Sequence, residues 1–500
     1  MSNFSSWLEV VGLMYYIMTD RFGFVAHGDN ANPMGFHGGC YATVRDAIVA
    51  GYFKKLGVRT LIISSPQLLK KAVEFEFGFL HYPYYGYLLE NLFKPEPRFG
   101  SYQDLCDLIE VAHQNGLKVI LDMCHHMHVE AGLVRRHPEF FAGDVGFEHL
   151  LKFDLGNAKA VRLLHASFEC WITGTGADGA RWDSMHHLLD RGHVDEMSPQ
   201  EVAGNLTYLR GFFADFASPE RFWSVGEVLD GYFDRWCAFA TETQCPALYN
   251  YPLYYKLTRA LACGLGVYVD EEGAWGDLNA LADVVLQMVR RGVAERCLNF
   301  VDNHDMPRFL TLVYRTNGNN APEPSGRRLK LALTVLFALP GIPSLFYGTE
   351  KGFSGEGWLD PNGSNRKTMP TDGPAPFAPH LLALATARET HVALRIGGYT
   401  ELWRPHGGPQ VWAFARVHDG KLPILTIVNN TVVQLPSGSY VGVPVDLGAL
   451  PGGGISTQGI LEPGQLENVL DSTQCPLRVS ECGRLVGVVP PETALMVYRP

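Results

Sequence analysis

Three acidic residues, each at the end of a short apolar run, are the side chains of this sequence that could do chemistry together. Asp183 ends the run ADGARWD, Glu227 follows Gly226 in SVGEV, and Asp305 ends FVDNHD. An ionised carboxylate and a protonated carboxyl group about 5–5.5 Å apart can cleave a glycosidic bond with retention of configuration. The pattern therefore favours a retaining glycosidase, if the fold brings the three runs to one cleft.

An arginine lies two positions before the first of these acids. If GADGARWDSMHH (176–187) contains a strand, alternation places Arg181 and Asp183 on one face and Trp182 on the other. A buried ion pair costs free energy of desolvation, which suggests a functional reason for it. We expect Arg181 to lower the pKa of Asp183 and hold it ionised as a nucleophile. We expect burial to raise the pKa of Glu227, which suits a general acid.

Eight apolar runs alternate with amphipathic stretches up to about residue 380. One intervening stretch, SYQDLCDLIEVAHQNG, has a helix start signal at Ser101 and a stop signal at Gly116. This alternation predicts a (β/α)8 TIM barrel, an α/β fold whose active site lies at the carboxyl ends of the strands. The runs cover residues 13–20, 57–65, 116–123, 177–183, 221–228, 247–253, 297–305 and 342–348. Polar residues cluster at their carboxyl ends, namely Asp20, Asp122, Asp183, Glu227, Asp302, His304 and Asp305.

The pattern changes after about residue 385. The runs VWAFARVH, LPILTIVNNT, SYVGVPVDL and ALMVYRP indicate short strands separated by glycine and proline turns. We therefore predict a catalytic barrel over residues 1–385 and a C-terminal antiparallel β-domain over residues 386–500.

Composition and charge argue against several classes of protein. The formal net charge of −11 argues against nucleic-acid binding, which needs basic patches. The longest apolar stretch, LKLALTVLFALPGIPSLFYG, is broken by Pro340 and Pro343. It predicts a buried helix running into a strand, so no membrane partner is expected.

The cysteines and the N-terminus bear on the compartment. The ten cysteines show no metal-binding spacing, and the first residues show no secretory signal pattern. We therefore expect reduced thiols and a cytoplasmic location. Cys475 and Cys482 are close enough in sequence to pair, so a disulfide between them stays open.

In five segments the chain resembles the α-amylase family of glycoside hydrolases and transglycosidases. In chain order they are YYIMTDRF (15–22), GADGARWDSMHH, SVGEV, FVDNHD, and PGIPSLFYGTE followed by LDPNGSNR. The resemblance implies that Asp183 is the nucleophile, Glu227 the acid and base, and Asp305 a carboxylate that supports the transition state. It also implies a set of substrate-binding residues: Arg181, His304, Tyr87, Asp122, His187, Asp360 and Arg366.

The third strand departs from the family pattern. The family has an aspartate followed after three residues by Asn-His, whereas LDMCHHMH has Asp122 followed by His126 and Met127. The asparagine that often binds calcium is thus replaced by His126, so calcium stays possible and no metal site is assigned. A shifted register, similar to that of branching enzymes, would use His125, His126 or His128 to bind a sugar. The three histidines could alternatively form a metal cluster.

Aromatic residues before this strand also differ from the pattern. The family's His-Gly-Tyr appears here as Tyr85-Gly86-Tyr87, in which the Tyr87 ring would stack under a sugar. Tyr84 and Trp358 could stack on sugar or pack a loop. The family's extra domain would be reduced to a loop of about residues 128–152, which leaves the cleft open on that side.

The resemblance implies a function as well as a fold. We expect a retaining glycosidase that cleaves α-glucosidic bonds, with an oligo- or polysaccharide as its substrate partner. A transglycosidase of the branching or 4-α-glucanotransferase type is the alternative, and a non-catalytic carbohydrate-binding member of the fold is the third hypothesis. No glycine-rich phosphate cradle stands out in the sequence, which argues against activated sugar donors.

Overall fold

The structure is a computed structural model, and every structural statement below refers to the residues that it describes. Trp358 and part of the predicted loop 128–152 lie outside them. The described residues are 11–23, 35–71, 74–76, 79–144, 149–189, 198–262, 277–317, 322–357, 360, 363–405, 409–434, 440–471 and 474–500.

Eight parallel strands form a closed barrel, which confirms the predicted fold class. The strands are β1 (Leu13–Ile17), β2 (Val58–Ile63), β3 (Lys118–Met123), β4 (Gly179–Trp182), β5 (Trp223–Gly226), β6 (Ala247–Tyr249), β7 (Cys297–Asn299) and β8 (Ile342–Phe346). Neighbours in the barrel are neighbours in the chain, and β1 closes the ring by pairing with both β2 and β8. Each of the eight apolar runs thus contains one barrel strand.

Helices follow the strands along the chain. They are α1 (Tyr41–Val49), α2 (Tyr102–Gln114), α3 (Gly132–Arg136), α4 (Ala158–Trp171), α5 (Pro199–Gly211), α6 (Phe233–Thr243), α7 (Tyr251–Leu261), α8 (Leu278–Arg290), α9 (Phe309–Asn317), α10 (Pro322–Ala338), α11 (Ala378–Thr390) and α12 (Val392–Ile396). The predicted limits of α2 are confirmed. The Ser101 hydroxyl accepts the N–H of Asp104 at 3.1 Å, and Gly116 has a φ of +75°, which stops the helix.

Three of the strands end before the acidic residue of their apolar run, so Asp183, Glu227 and Asp305 follow the strands, whereas Asp122 lies within β3. β4 ends at Trp182, and Asp183 begins the next turn. Ser184 has a φ of +49°, in the left-handed region that non-glycine residues seldom adopt. This turn aims Asp183 across the top of the barrel while its N–H still bonds to the Met123 carbonyl at 2.9 Å.

The run 247–253, predicted as one strand, is a strand followed by a helix. β6 stops at Tyr249 because the Asn250 side chain caps α7. Its Oδ1 accepts the N–H of Leu253 at 3.2 Å. Tyr251 is therefore the first residue of a helix and lies at the carboxyl end of the barrel.

The segment between β3 and α4 forms a small sheet of its own. Three short antiparallel strands lie in it, with Leu150–Phe153 in the centre between His126–His128 and Phe141–Asp144. The reduction of the family's extra domain to a loop at 128–152 stays a prediction.

The C-terminal region is a seven-stranded antiparallel sheet, as predicted. Its strands are β9 (Gly398–Trp403), β10 (Val411–Val417), β11 (Ile424–Asn429), β12 (Gly464–Asn468), β13 (Gln474–Val479), β14 (Leu485–Val486) and β15 (Thr493–Tyr498), in the spatial order β9-β10-β11-β15-β12-β13-β14. Helix α11 spans the predicted boundary between residues 385 and 386, and the sheet begins at Gly398. Where the two domains divide stays a prediction.

Two expectations about the rest of the chain can be compared with the described residues. Among them, no helix is long and apolar enough to cross a membrane. The apolar stretch 329–348 forms the end of α10 and the whole of β8, as expected. Cys475 is buried, Cys482 is exposed, and both are free thiols.

Candidate active site

One guanidinium group joins the carboxyl ends of β3 and β4. Arg181 Nη1 donates to Oδ1 of Asp122 at 2.7 Å and to Oδ1 of Asp183 at 2.6 Å. Arg181 and Asp122 lie opposite one another in the parallel register, so both side chains point into the barrel at one level. All three residues are buried, and the two acids share the charge of one arginine.

Two tyrosines bind the second oxygen of Asp122. The hydroxyl of Tyr16 donates to Oδ2 at 2.7 Å and that of Tyr87 at 2.9 Å. The Tyr87 oxygen also lies 2.7 Å from Nε2 of His304 and accepts from Arg181 at 3.0 Å. The Tyr16 ring stacks on His304, with ring centroids 4.9 Å apart. Tyr16 was not predicted as a site residue, although alternation along YYIMTDRF could have placed it inside the barrel.

Glu227 is held by donors on both of its oxygens. The N–H of Ser184 donates to Oε2 at 3.0 Å, and the hydroxyl of Tyr251 donates to Oε1 at 2.7 Å. Nδ2 of Asn303 in turn donates to the Tyr251 oxygen at 2.9 Å. Arg181 Nη2 is 3.8 Å from Oε2, which links Glu227 to the same arginine as Asp183. Tyr251 and Asn303 were not predicted as site residues. Asn303 lies within the segment FVDNHD, where no catalytic role was assigned to it.

Asp305 lies between an arginine and a histidine. Oδ1 is 3.4 Å from Arg366 Nη2, and Oδ2 is 3.3 Å from His304 Nε2. Arg366 also donates through Nε to the His304 carbonyl at 2.8 Å. The Asp305 side chain is 22% exposed, against 7% for Asp183 and 3% for Glu227. Solvent therefore reaches this trio of acids mainly from the side of Asp305.

Burial dominates the pKa values of these groups. It raises the pKa of Asp183, and although Arg181 acts in the predicted direction it does not reverse this rise. Burial likewise outweighs the charge of Arg181 at Asp122 and raises the pKa of that carboxyl group. Burial raises the pKa of Asp305 to about 7, against the opposing charge of Arg366. Burial and the two arginines lower the pKa of His304 well below its usual value, so this imidazole is neutral.

Comparisons with known proteins show which family the chain is similar to. The family model described as α-amylase, catalytic domain, matches residues 136–375. A cyclomaltodextrin glucanotransferase of Bacillus sp. (strain 1-1) is 26% identical over 482 residues, which cover 86% of this chain and 62% of that protein. An α-amylase of Niallia circulans is 23% identical over 489 residues, covering 86% of this chain and 84% of the relative. By these matches the chain is similar to the α-amylase family.

Solved structures of α-amylases share the fold of this chain. The α-amylase of Geobacillus thermoleovorans, in complex with acarbose, has a TM-score of 0.75 at 23% identity and covers 99% of both chains. An Anoxybacillus α-amylase has a TM-score of 0.75 at 24% identity, covering 99% of this chain and 98% of its own. The chain spans less than two thirds of the cyclomaltodextrin glucanotransferase that it matches, and almost the whole of these two structures.

The three histidines after β3, where the sequence departs from the α-amylase pattern, point into different surroundings. His125 is buried among the rings of Phe168, Trp182 and Phe212, and burial lowers its pKa to about 3. It therefore packs outside the barrel and neither binds sugar nor joins a histidine cluster. Nδ1 of His128 accepts the N–H of Glu130 at 3.1 Å.

His126 is the histidine that turns toward the acids. One of its ring nitrogens, the Cys124 sulfur and a carboxylate oxygen of Asp183 all lie within 4.8 Å of one another. Met127, at the place of the family's histidine, is fully buried. Calcium prefers a cage of oxygen ligands, so an imidazole nitrogen and a sulfur do not fit it here.

The remaining predicted residues lie in separate positions. His187 is buried, with its ring 4.1 Å from the ring of His186. Asp360 is half-buried, and its Oδ2 accepts the N–H of Ser364 at 3.0 Å. Tyr84 is fully buried with the Arg21 guanidinium 3.7 Å above its ring, so it packs a loop. Among the predicted binding residues, Arg181, Asp122, Tyr87, His304 and Arg366 contact the three predicted catalytic acids or one another directly.

Proposed function

We propose that the protein cleaves α-glucosidic bonds in α-glucans or malto-oligosaccharides with retention of configuration. The observation that supports this most directly is the convergence of three acids from three strand ends on one arginine-centred network. Asp183 and Glu227 both lie beside Arg181, and Asp305 is linked to the same arginine through His304 and Tyr87. Asp178 and Asp302, by contrast, bond to backbone groups of the barrel.

Asp183 is the nucleophile of the proposed reaction. Its carboxylate oxygen attacks the anomeric carbon, and the bond to the leaving sugar oxygen breaks. Arg181 donates to Oδ1 and holds the carboxylate plane against rotation. The same guanidinium nitrogen also donates to Asp122, so the two carboxyl groups share one cation.

Glu227 is the acid and then the base. It gives its proton to the leaving oxygen. In the second half it takes a proton from water or from a sugar hydroxyl, whose oxygen bonds to the anomeric carbon as the bond to Asp183 breaks. The Ser184 N–H and the Tyr251 hydroxyl orient the two carboxyl oxygens. Asp305, with Arg366 beside it, lies on the solvent side of the pair and can bind sugar hydroxyls as positive charge develops on the ring.

Transfer to a second sugar is the alternative reaction of the same site. It is favoured by the similarity to a cyclomaltodextrin glucanotransferase, a transferase by its name. The two reactions share the glycosyl-enzyme on Asp183 and differ only in the acceptor, which is water for hydrolysis and a sugar hydroxyl for transfer.

Incubation with maltoheptaose and chromatography of the products over time tests the proposal. Shorter sugars with new reducing ends mean hydrolysis, and longer, cyclic or branched products with little new reducing end mean transfer. NMR of the first products should show the α-anomer before mutarotation. Release of the β-anomer first would contradict the double displacement.

A catalytic variant separates an enzyme from a non-catalytic binding protein. Glu227→Gln should abolish turnover of maltoheptaose while the affinity for the sugar, measured by calorimetry, stays within a few-fold. If the unchanged protein binds maltoheptaose and forms no product, the binding-protein hypothesis replaces the proposed function.

A further inference from the structure

Three metal-binding side chains of different chemistry meet beside the candidate nucleophile. They are the thiol of Cys124, the imidazole of His126 and the carboxylate of Asp183, and their ligand atoms lie within 4.8 Å of one another. Each of the three is more than nine-tenths buried. They are the only such group of three among the residues that the structure describes.

The backbone brings these side chains together from three places. Cys124 directly follows the last residue of β3, and Asp183 directly follows the last residue of β4. The hydrogen bond from the Asp183 N–H to the Met123 carbonyl, 2.9 Å long, keeps the two strand ends side by side. His126 begins the short strand that pairs with Leu150–Phe153, which turns its ring back over the barrel.

The donor set selects the class of metal. A thiolate, an imidazole and a carboxylate are ligands of zinc, whereas calcium and magnesium take oxygen ligands. Three protein ligands with a water in the fourth position form the open tetrahedral geometry of zinc. Ligand atoms in such a tetrahedron are about 3.5 Å apart, so small side-chain rotations would close the present spacing. We propose that Cys124, His126 and Asp183 form a binding site for Zn²⁺ or a similar borderline-soft divalent cation.

The surrounding charges are compatible with a cation. Arg181 donates to Oδ1 of Asp183, and a carboxylate has a second oxygen and about four lone-pair sites, so the arginine and a metal can share it. The network around the site contains four carboxyl groups and two guanidinium groups, those of Asp122, Asp183, Glu227, Asp305, Arg181 and Arg366. Binding releases the thiol proton of Cys124 to solvent, because the thiolate is the ligand.

The consequence for activity rests on the proposed function. A metal bound to Asp183 occupies the carboxylate that would attack the anomeric carbon. Zinc therefore inhibits glucan cleavage reversibly, and a chelator restores it. Inhibition acts on the nucleophile itself, so high concentrations of maltoheptaose relieve it by competition for the same space.

The test measures metal binding without using activity. Zn²⁺ is titrated calorimetrically into the full chain, produced without a polyhistidine tag, and Co²⁺ is titrated while its absorbance is followed. One Zn²⁺ per chain and a thiolate-to-cobalt charge-transfer band are expected. Cys124→Ser, which keeps the size of the side chain, should lower zinc affinity at least roughly 10- to 100-fold and remove the band. His126→Asn should lower the affinity to a similar extent.

A cysteine elsewhere supplies the matched control. Cys106→Ala, on α2, should leave the affinity and the band unchanged. Zinc binding that Cys124→Ser does not weaken, or no binding at all, overturns the proposal. Circular dichroism shows that each variant is folded. If the chain binds zinc through Cys124 but cleaves no glucan, the metal site is supported and the proposed function is rejected. If the chain cleaves glucan and zinc does not inhibit it, the proposed function is supported and the metal site is rejected.

Discussion

The two ends of strand β4 each have an aspartate, and the partners of the two differ. At the amino end, Asp178 accepts hydrogen bonds from the Val119 N–H at 2.8 Å and from Lys118 Nζ at 2.7 Å. Its carboxylate also lies 2.8 Å from His113 Nε2. At the carboxyl end, Asp183 is held by Arg181, which it shares with Asp122. Asp178 therefore stabilises the barrel, whereas Asp183 lies in a network of carboxyl groups that share one arginine.

Arginines at the two ends differ in the same way. Arg388 is buried at the amino end of β8, where Nη1 donates to the Phe337 carbonyl at 2.6 Å and Nη2 to the Gly341 carbonyl at 2.8 Å. Burial, with Arg416 nearby, lowers its pKa to about 9. Arg181 has carboxylate partners instead. Both charged residues at the amino end bond to backbone groups, whereas Arg181 at the carboxyl end is shared between carboxyl groups, which is where chemistry can be done.

The same substitution at both ends of β4 should give the largest difference between the two ends. Asp183→Asn should lower the turnover of maltoheptaose at least roughly a thousandfold, because the amide is a poor nucleophile. Asp178→Asn should keep turnover per folded molecule within a factor of about two, because it lies at the far end of the barrel. Initial rates of reducing-sugar release measure both. Equal losses in the two variants would show that the ends do not differ in function.

The next effect concerns stability. Arg388→Met removes the donors of buried carbonyl groups and should lower the free energy of unfolding by about 3 kcal/mol. Arg59→Met, which breaks an exposed ion pair with Glu389, is the control and should cost about 0.5 kcal/mol or less. Urea unfolding followed by circular dichroism compares the two. If both variants unfold at the urea concentration of the unchanged protein, the buried arginine is not a stabilising element of this end.

The smallest effect is a pH dependence at the carboxyl end. Burial raises the pKa of Asp305 to about 7, so its protonated form stabilises the fold below about pH 4 and this contribution is lost as the pH rises through 7. Asp305→Asn cannot ionise. Its free energy of unfolding should therefore exceed that of the unchanged protein by about 1–2 kcal/mol at pH 8 and by little at pH 4. Urea unfolding at the two pH values measures the difference, and a gain that is larger at pH 4 would contradict the sign.

Much of the site could be predicted because its residues belong to contiguous segments. Asp183 and Arg181 are two residues apart, and Glu227 and Asp305 each end an apolar run. Tyr16 and Tyr251 could not be predicted as site residues, because a tyrosine in an apolar run is equally a core side chain. Only the closed barrel shows that their hydroxyls reach Asp122 and Glu227.

One question stayed open because it required a choice between neighbours, and one prediction was wrong because it depended on burial. The sequence LDMCHHMH does not say which histidine faces the cleft. In the structure His125 turns out into an aromatic cluster, and His126 turns in toward Cys124 and Asp183. The sign of the Asp183 pKa shift likewise depends on how deeply the strand end is buried, which spacing alone does not give.

The sequence by itself determined the α/β barrel, the C-terminal β-sheet and the three acids at strand ends, because hydrophobic periodicity and turn residues act over short distances along the chain. Tertiary structure alone decided the partners of each charge. Asp178 and Asp183 are five positions apart in one run, yet one faces backbone donors and the other faces competing carboxylates. Burial and long-range neighbours set the pKa and the metal-binding capacity of a side chain, and both arise only when distant strands meet.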